Sequence, residues 1–231
     1  MIKYRIALIG LDGSGKSANI SLMKNDSDFK SFKFMWVRWK PILLKPAYFI
    51  LNKKSGKRKS AVSENTREYL NAEYANKAGI KKKIFKNLFI KRIWLKLAIF
   101  DYVLQFYIKM FGSIVLRKNI IFDRFYLDLF VDQGINFSYS HEEIEKEIKK
   151  YKWLFPKIYK YIYIKVDPRI CYKRKDDIPN MDYLNRRYEI YEHLSKNDDW
   201  IIINGEDELD MVYSNLKKII FRKDDNDEQK K

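Results

Sequence analysis

The strongest constraint on this chain is Gly10-Leu-Asp-Gly-Ser-Gly15-Lys16-Ser17, which follows directly on an apolar run over residues 3–9. The pattern is Gly-x4-Gly-Lys-Ser/Thr in full. Glycines let a backbone curl until successive N–H groups face one point, a cradle for phosphate oxygens. A helix that starts at the end of the loop adds its positive N-terminal end. Lys16 can bridge the outer phosphates, and the Ser17 hydroxyl is a magnesium ligand candidate. The expected nucleotide contacts are Gly10, Asp12, Gly13, Ser14, Gly15, Lys16, Ser17 and Ala18, with ATP and Mg2+ as cofactors. A glycine-rich turn carrying an exposed lysine would not explain the apolar strand before the loop.

Beyond the loop, apolar runs and helical patterns alternate. Strands are expected over 3–9, 32–37, 119–123, 161–166 and 200–203. Helices are expected over 15–25, 63–78, 82–117 (one long or two consecutive), 171–174, 182–196 and 208–221. Ser140 and Glu143 form a capping box for a further helix that runs to Phe155. Such alternation argues a parallel sheet covered on both faces. Pro41 and Pro46 break regular structure, and residues 53–60 read as a basic loop. One domain over 1–221 is expected, with a basic, aromatic helical expansion at about 40–117 and a lid at about 172–187. A charged tail follows at 222–231.

The formal net charge of +17 attracts polyanions without choosing among nucleotides, nucleic acid and acidic lipid. No recognisable nucleic-acid module accompanies it, so nucleic acid is not the expected partner. Cys171 is the single cysteine and there are two histidines, which leaves no disulfide framework and argues against a thiolate or histidine-rich metal centre. The N-terminal apolar run is too short for a signal peptide. Residues 93–116 are the most apolar stretch, but Lys96, Asp101, Gln105 and Lys109 interrupt it. A spanning helix of about 20 residues carries few such charges, so a buried amphipathic helix is expected. Residues 81–96 have the pattern of a basic amphipathic helix able to lie on an anionic membrane. The expected location is cytoplasmic, with peripheral contact at the inner membrane face left open.

Asp123-Arg124 ends the third expected strand, where open parallel sheets place ligands. Asp123 is positioned for magnesium, its water or an acceptor, and Arg124 for a phosphate. Asp12 sits inside the phosphate loop, where a carboxylate repels phosphates, so an acceptor hydroxyl or magnesium water explains it better. Arg38 lies just past the second strand. Arg174, Lys175, Arg186 and Arg187 surround the lid, and phosphoryl transfer needs cations over the moving charge. His141 and His193 read as surface residues, and Cys171 as a small buried one.

Taken in order, the loop with Asp12, Arg38 to Pro41, Asp123-Arg124-Phe125, and Asp167-Pro168 followed by Arg174, Arg186 and Tyr191 resemble the thymidylate kinase family of P-loop nucleoside monophosphate kinases. The resemblance implies a P-loop NTPase three-layer α/β fold with a five-stranded parallel sheet flanked by helices. It implies ATP, magnesium and an acceptor site between the Asp-Arg strand and the middle helices. It also implies a homodimer formed through helices beside the sheet. Catalytic roles then fall to Lys16, Asp12, Asp123, Arg124 and Arg174, and acceptor contacts to Arg38, Asp101, Tyr102 and Arg124; Ser17 and Asp123 would hold the metal. Tyr102 stands where the family has an arginine that grips the acceptor phosphate. The stretch from Asp123 to Asp132 is similar to a divergent group whose members occur alongside cell-surface polysaccharide genes. Two acceptor classes therefore stay open: a nucleoside monophosphate, or the hydroxyl of a sugar, nucleoside or lipid-linked intermediate, with Asp12 or Asp123 as base. A third reading is a non-enzymatic, nucleotide-dependent binding protein at a membrane or nucleic acid.

Overall fold

The structure is a computed structural model that describes residues 4–46, 66–115, 118–197 and 200–222. Five strands, β1 (Arg5–Ile9), β2 (Phe32–Trp36), β3 (Asn119–Asp123), β4 (Lys160–Lys165) and β5 (Trp200–Asn204), form one sheet in the order β2-β3-β1-β4-β5. Every pairing is parallel. Parallel strands need crossovers, and the crossover helices cover both faces of the sheet. The central strand shows the result: Ile6, Ala7 and Leu8 are fully buried, with no polar face.

The helices are α1 (Lys16–Asn25), α2 (Thr66–Ile84), α3 (Leu88–Val115), α4 (Tyr126–Phe137), α5 (His141–Tyr151), α6 (Pro168–Arg174), α7 (Met181–Asn197) and α8 (Leu209–Phe221). Register brings the site together. Asp123 lies beside Leu8 on one side and Trp36 on the other. The carboxyl ends of β1, β2 and β3 therefore meet at one rim, where α/β sheets bind ligands.

Several sequence expectations need correction. Helix α4 does not appear among them. Nearly all its side chains are buried, so its sequence lacks the polar stripe that marks an amphipathic helix. The helix that opens at Ser140 ends at Tyr151, and a short 3-10 turn, Lys152–Leu154, follows it. The second strand stops at Trp36, although the Val37 N–H still donates to the Asp123 carbonyl at 3.2 Å. Residues 81–96 are not one helix. Helix α2 ends at Ile84, and Asn87 starts α3 afresh by accepting the Phe89 N–H at 2.8 Å. Helix α3 is not wholly buried either: Phe89, Phe100 and Phe111 are among its exposed side chains. Among the described residues no helix is long and apolar enough to cross a membrane. The basic loop at 53–60, the cap at Ser63 and the tail from 223 onward lie outside the described residues.

Candidate active site

The loop between β1 and α1 is built by backbone conformation. Gly13 and Gly15 have φ of 89° and 87°, a region that side chains with a Cβ seldom enter. A Cβ on Gly13 would also lie 2.6 Å from the Cys171 carbonyl oxygen, so α6 packs directly on the loop. Lys16 is buried, and its Nζ donates to the carbonyls of Gly10 (2.8 Å) and Leu11 (2.6 Å) and to Ser14 Oγ (3.0 Å). Burial, with Arg124 nearby, pushes its ammonium down to about 7. Ser17 and Ala18 are exposed at the start of α1.

Asp12 is the meeting point of three elements. Its carboxylate accepts from the Arg124 guanidinium and, at 2.8 Å, from the Tyr183 hydroxyl on α7. Arg38, just past β2, lies 3.8 Å from Asp12 and 3.6 Å from Asp132. Arg124 also donates to Asp128 at 2.8 Å, and Asp128 accepts from the Tyr191 hydroxyl at 2.8 Å. Arg124 has φ 68°, a left-handed conformation costing about 1–2 kcal/mol outside glycine. Its two buried ion pairs hold it there. Burial raises the Asp12 carboxyl, but Arg124, Arg38 and Lys16 outweigh it and hold the group far below the usual carboxylate range. Asp123 is different: burial pushes its carboxyl up.

Beside this network lies a cavity of about 410 Å³ between α2, α3, α4 and α7. Trp39, Tyr74, Phe85 and Trp94 form its apolar walls. Four cations, Arg38, Lys77, Lys81 and Arg187, share it with one carboxylate, Asp132. Arg187 donates to Asp132 at 2.5 Å and sits 3.6 Å over the Tyr183 ring. Lys81 donates to Asn136 at 3.0 Å, and burial lowers its ammonium. The volume suits a small organic molecule, and the charge balance suits an anion.

Three residues expected at the site have other partners. Asp101 is buried and accepts from Trp39 Nε1, the N–H groups of Ile42 and Leu43, and Gln105. It ties the 39–43 segment to α3 and does not line the cavity. Tyr102 is buried among Phe106 and Phe155, and its hydroxyl donates to the Val37 carbonyl at 2.8 Å. Arg174 donates to the Gly205 carbonyl at 2.9 Å. Arg67, on α2, donates to the Tyr172 carbonyl at 2.9 Å and to Asp176 at 2.8 Å. Sequence reasoning missed Tyr183, Asp128 and Asp132 as members of the network. The pair Asp128 and Asp132, one helical turn apart in an apolar run, was the available signal.

Among the described residues no cluster of three His, Cys, Asp or Glu side chains could hold a metal ion. Magnesium commonly takes one or two carboxylates and completes its shell with phosphate and water. Ser17 supplies an exposed hydroxyl. Asp123 supplies a half-buried carboxylate with no described cation at ion-pair distance. These hard oxygen donors fit the ion. His193 instead bonds Glu145 at 2.8 Å, and burial raises the Cys171 thiol to about 11.

No protein-family model matches the chain, and no curated protein matches it. Solved structures do. A deoxyadenosine kinase from M. mycoides with the products dCMP and a flexible dCDP bound aligns at TM-score 0.51 and 16% identity, covering 94% of this chain and 98% of that one. The same enzyme with bound dATP aligns at TM-score 0.51 and 15% identity, covering 94% and 100%. With the all-parallel sheet and the glycine loop after its central strand, this likeness gives the chain the P-loop NTPase α/β fold.

Proposed function

We propose that the protein transfers the terminal phosphoryl group of ATP to an anionic acceptor bound in the cavity, with a nucleoside monophosphate as the best-supported class. The observation that carries this reading is the Arg38–Asp12–Tyr183 contact, which joins the phosphate loop to the cavity. A kinase needs donor and acceptor phosphates adjacent, since positioning and charge stabilisation supply most of the catalysis. Lys16 would neutralise charge on the transferring group. Arg38 and Arg187 would orient the acceptor, and Arg124 holds Asp12 in place. Ser17 and Asp123 would hold magnesium, whose chemistry there would be to offset phosphate charge. The loop at 175–180, between α6 and α7, would act as the lid.

The acceptor class follows from the acid–base state of the site. A phosphate acceptor is already nucleophilic and needs no base. Asp12, held ionised by its ion pairs, is a weak base. The deoxyadenosine kinase of similar fold, with its product dCMP bound, supports a nucleoside-like acceptor, and since forming dCMP phosphorylates a nucleoside hydroxyl, that likeness counts equally for the second reading. A second reading, a hydroxyl acceptor, is favoured by Asp123, the carboxyl that burial makes more basic.

An ATP-consumption screen over nucleoside monophosphates, nucleosides and sugars tests both. Turnover of monophosphates, abolished in Lys16→Ala and Asp123→Asn, is expected. Turnover confined to hydroxyl acceptors would reject the first reading. ATP binding without turnover of any acceptor would reject both.

A further inference from the structure

The cavity beside the phosphate loop has two unlike ends. Tyr74 on α2 meets the Tyr183 ring edge-on, with centroids 5.7 Å apart, so this end borders the Asp12 network. Lys77 and Lys81 follow one and two turns later on α2 and line the same cavity. Lys81 therefore lies about 10 Å farther along the helix than Tyr74. Among the described lining residues Asp132 is the only carboxylate, and it pairs with Arg38 and Arg187. Lys77 pairs with Glu73 at 2.5 Å. The side-chain partner of Lys81 is neutral: Asn136, at 3.0 Å. The polar groups around Lys81 are also all donors. Gln133 accepts from Trp94 Nε1 at 3.1 Å, as Asn136 does from Lys81. An indole N–H and an ammonium can only donate, so each amide turns its oxygen to that partner and its NH2 the other way. Both amides line the cavity.

We infer that the acceptor carries a second anionic oxygen group, a carboxylate or a phosphate, held at this far end by Lys81 and the amide NH2 groups of Gln133 and Asn136. An oxygen group that only accepts satisfies an ammonium and two amide NH2 groups at once. A ligand amine placed there would face donors and stay unpaired. Burial lowers the Lys81 ammonium, with Lys77 and Arg187 adding repulsion that Asp132 offsets in part. A cation in that position gains most from an anion, because a charge-assisted hydrogen bond is about twice as strong as a neutral one. The aromatic walls, Trp39, Tyr74, Phe85 and Trp94, would take the body of the molecule between its two acidic ends. The inference rests on the proposed function, which places the acceptor in this cavity with its phosphoryl-accepting end at Arg38. It narrows the acceptor to molecules with acids about 10 Å apart. A nucleoside monophosphate with an acidic base substituent, or a sugar phosphate with a second acid, meets both ends. An unsubstituted nucleoside monophosphate meets one.

The test is calorimetric binding to the full chain, with the phosphate loop filled by magnesium and the non-hydrolysable analogue AMP-PNP. Two matched pairs of probes differ only in the second acid. 5-Carboxy-dCMP against dCMP tests a carboxylate, and fructose 1,6-bisphosphate against fructose 6-phosphate tests a phosphate. In at least one pair the doubly acidic member should bind about tenfold tighter or more, the gain expected for hydrogen bonds to a charge. Lys81→Met should reduce that preference to about twofold or less, while binding of the singly acidic member stays within about twofold of the parent. Asn136→Asp serves as the second variant if Lys81→Met fails to fold. It keeps the ammonium but gives it an internal anion, and the preference should again be lost. Singly acidic probes that bind through Arg38, as judged by Arg38→Ala, with no preference in either pair overturn this inference and leave the proposed function standing. A preference that survives both Lys81→Met and Asn136→Asp also overturns it. If none of the four probes binds, the cavity is not an anionic acceptor site, and the proposed function falls together with the inference.

Discussion

The Tyr183 hydroxyl donates to the Asp12 carboxylate at 2.8 Å across 171 residues of sequence. This contact fastens α7 to the phosphate loop. Arg38 donates to the same hydroxyl at 3.4 Å, so one oxygen serves α7, the loop and the cavity. Burial pushes the Tyr183 hydroxyl up to about 12, and it stays a donor throughout the neutral range.

Tyr183→Phe removes that donor and keeps the ring under Arg187. A hydrogen bond to a charged group contributes about 1.5–3 kcal/mol. Under the proposed function, kcat/KM for the acceptor should fall about tenfold or more, with a small change in Tm. Steady-state kinetics and thermal unfolding on the same preparation check this. An unchanged kcat/KM would confine the contact to a structural role.

Lys16 leads to a proton-linkage prediction. Burial, reinforced by Arg124, brings its ammonium from 10.5 to about 7. Between those values the folded chain holds fewer protons than the unfolded chain, so this group makes stability rise with pH from about 7 to 10.5. Below 7 both states are protonated and the full cost of burying the charge is present. Triphosphate beside Lys16 favours the ammonium, so ATP binding at pH 8 should take up protons. Calorimetry in two buffers of different ionisation enthalpy measures the uptake. It should vanish in Lys16→Ala, and binding with no proton uptake at pH 8 would contradict the assigned shift.

The phosphate loop was legible in the sequence because its chemistry is local: a strand, three glycines and a lysine within one turn of chain. The sheet was legible because buried parallel strands read as apolar runs. Helix α4 was hidden because burial on all sides erased its period. The exposed face of α3 was hidden for a related reason. Apolar periodicity marks a face that is covered, and it does not distinguish the cover of its own domain from that of another molecule. Asp101 stood out as a charge in an apolar helix, yet its partners Trp39, Ile42 and Leu43 come from another element. Tyr183 had no local signal, since its role depends on a contact made only when the chain folds.

Asp128 links these long-range contacts to stability. Its buried carboxylate holds Arg124, accepts from Tyr191, and caps the start of α4 through the Phe125 N–H at 3.2 Å. Asp128→Ala leaves a buried guanidinium short of its partner, a loss of about 3–5 kcal/mol when a buried pair is broken. Denaturant unfolding should show the unfolding free energy falling by that amount, with the midpoint lowered at unchanged m. Asp128→Asn, which retains an acceptor, should cost less. Equal losses in the two variants would assign the effect to packing instead of charge.

The last prediction separates acceptor from donor. Asp101 supplies no cavity surface, but Trp39 and Pro41 do, and its carboxylate anchors the segment that carries them. Asp101→Ala leaves the Trp39 indole N–H and two backbone N–H groups without their acceptor, at about 1–3 kcal/mol for each that stays dry. The segment should loosen to reach water. Under the proposed function the acceptor KM should rise about tenfold, while the ATP KM stays within about twofold, because the phosphate loop does not touch this carboxylate. Asp101→Asn keeps one acceptor oxygen and should fall between the two. If both KM values rise together, the carboxylate supports the domain as a whole, and the 39–43 segment is not a separate wall of the acceptor site.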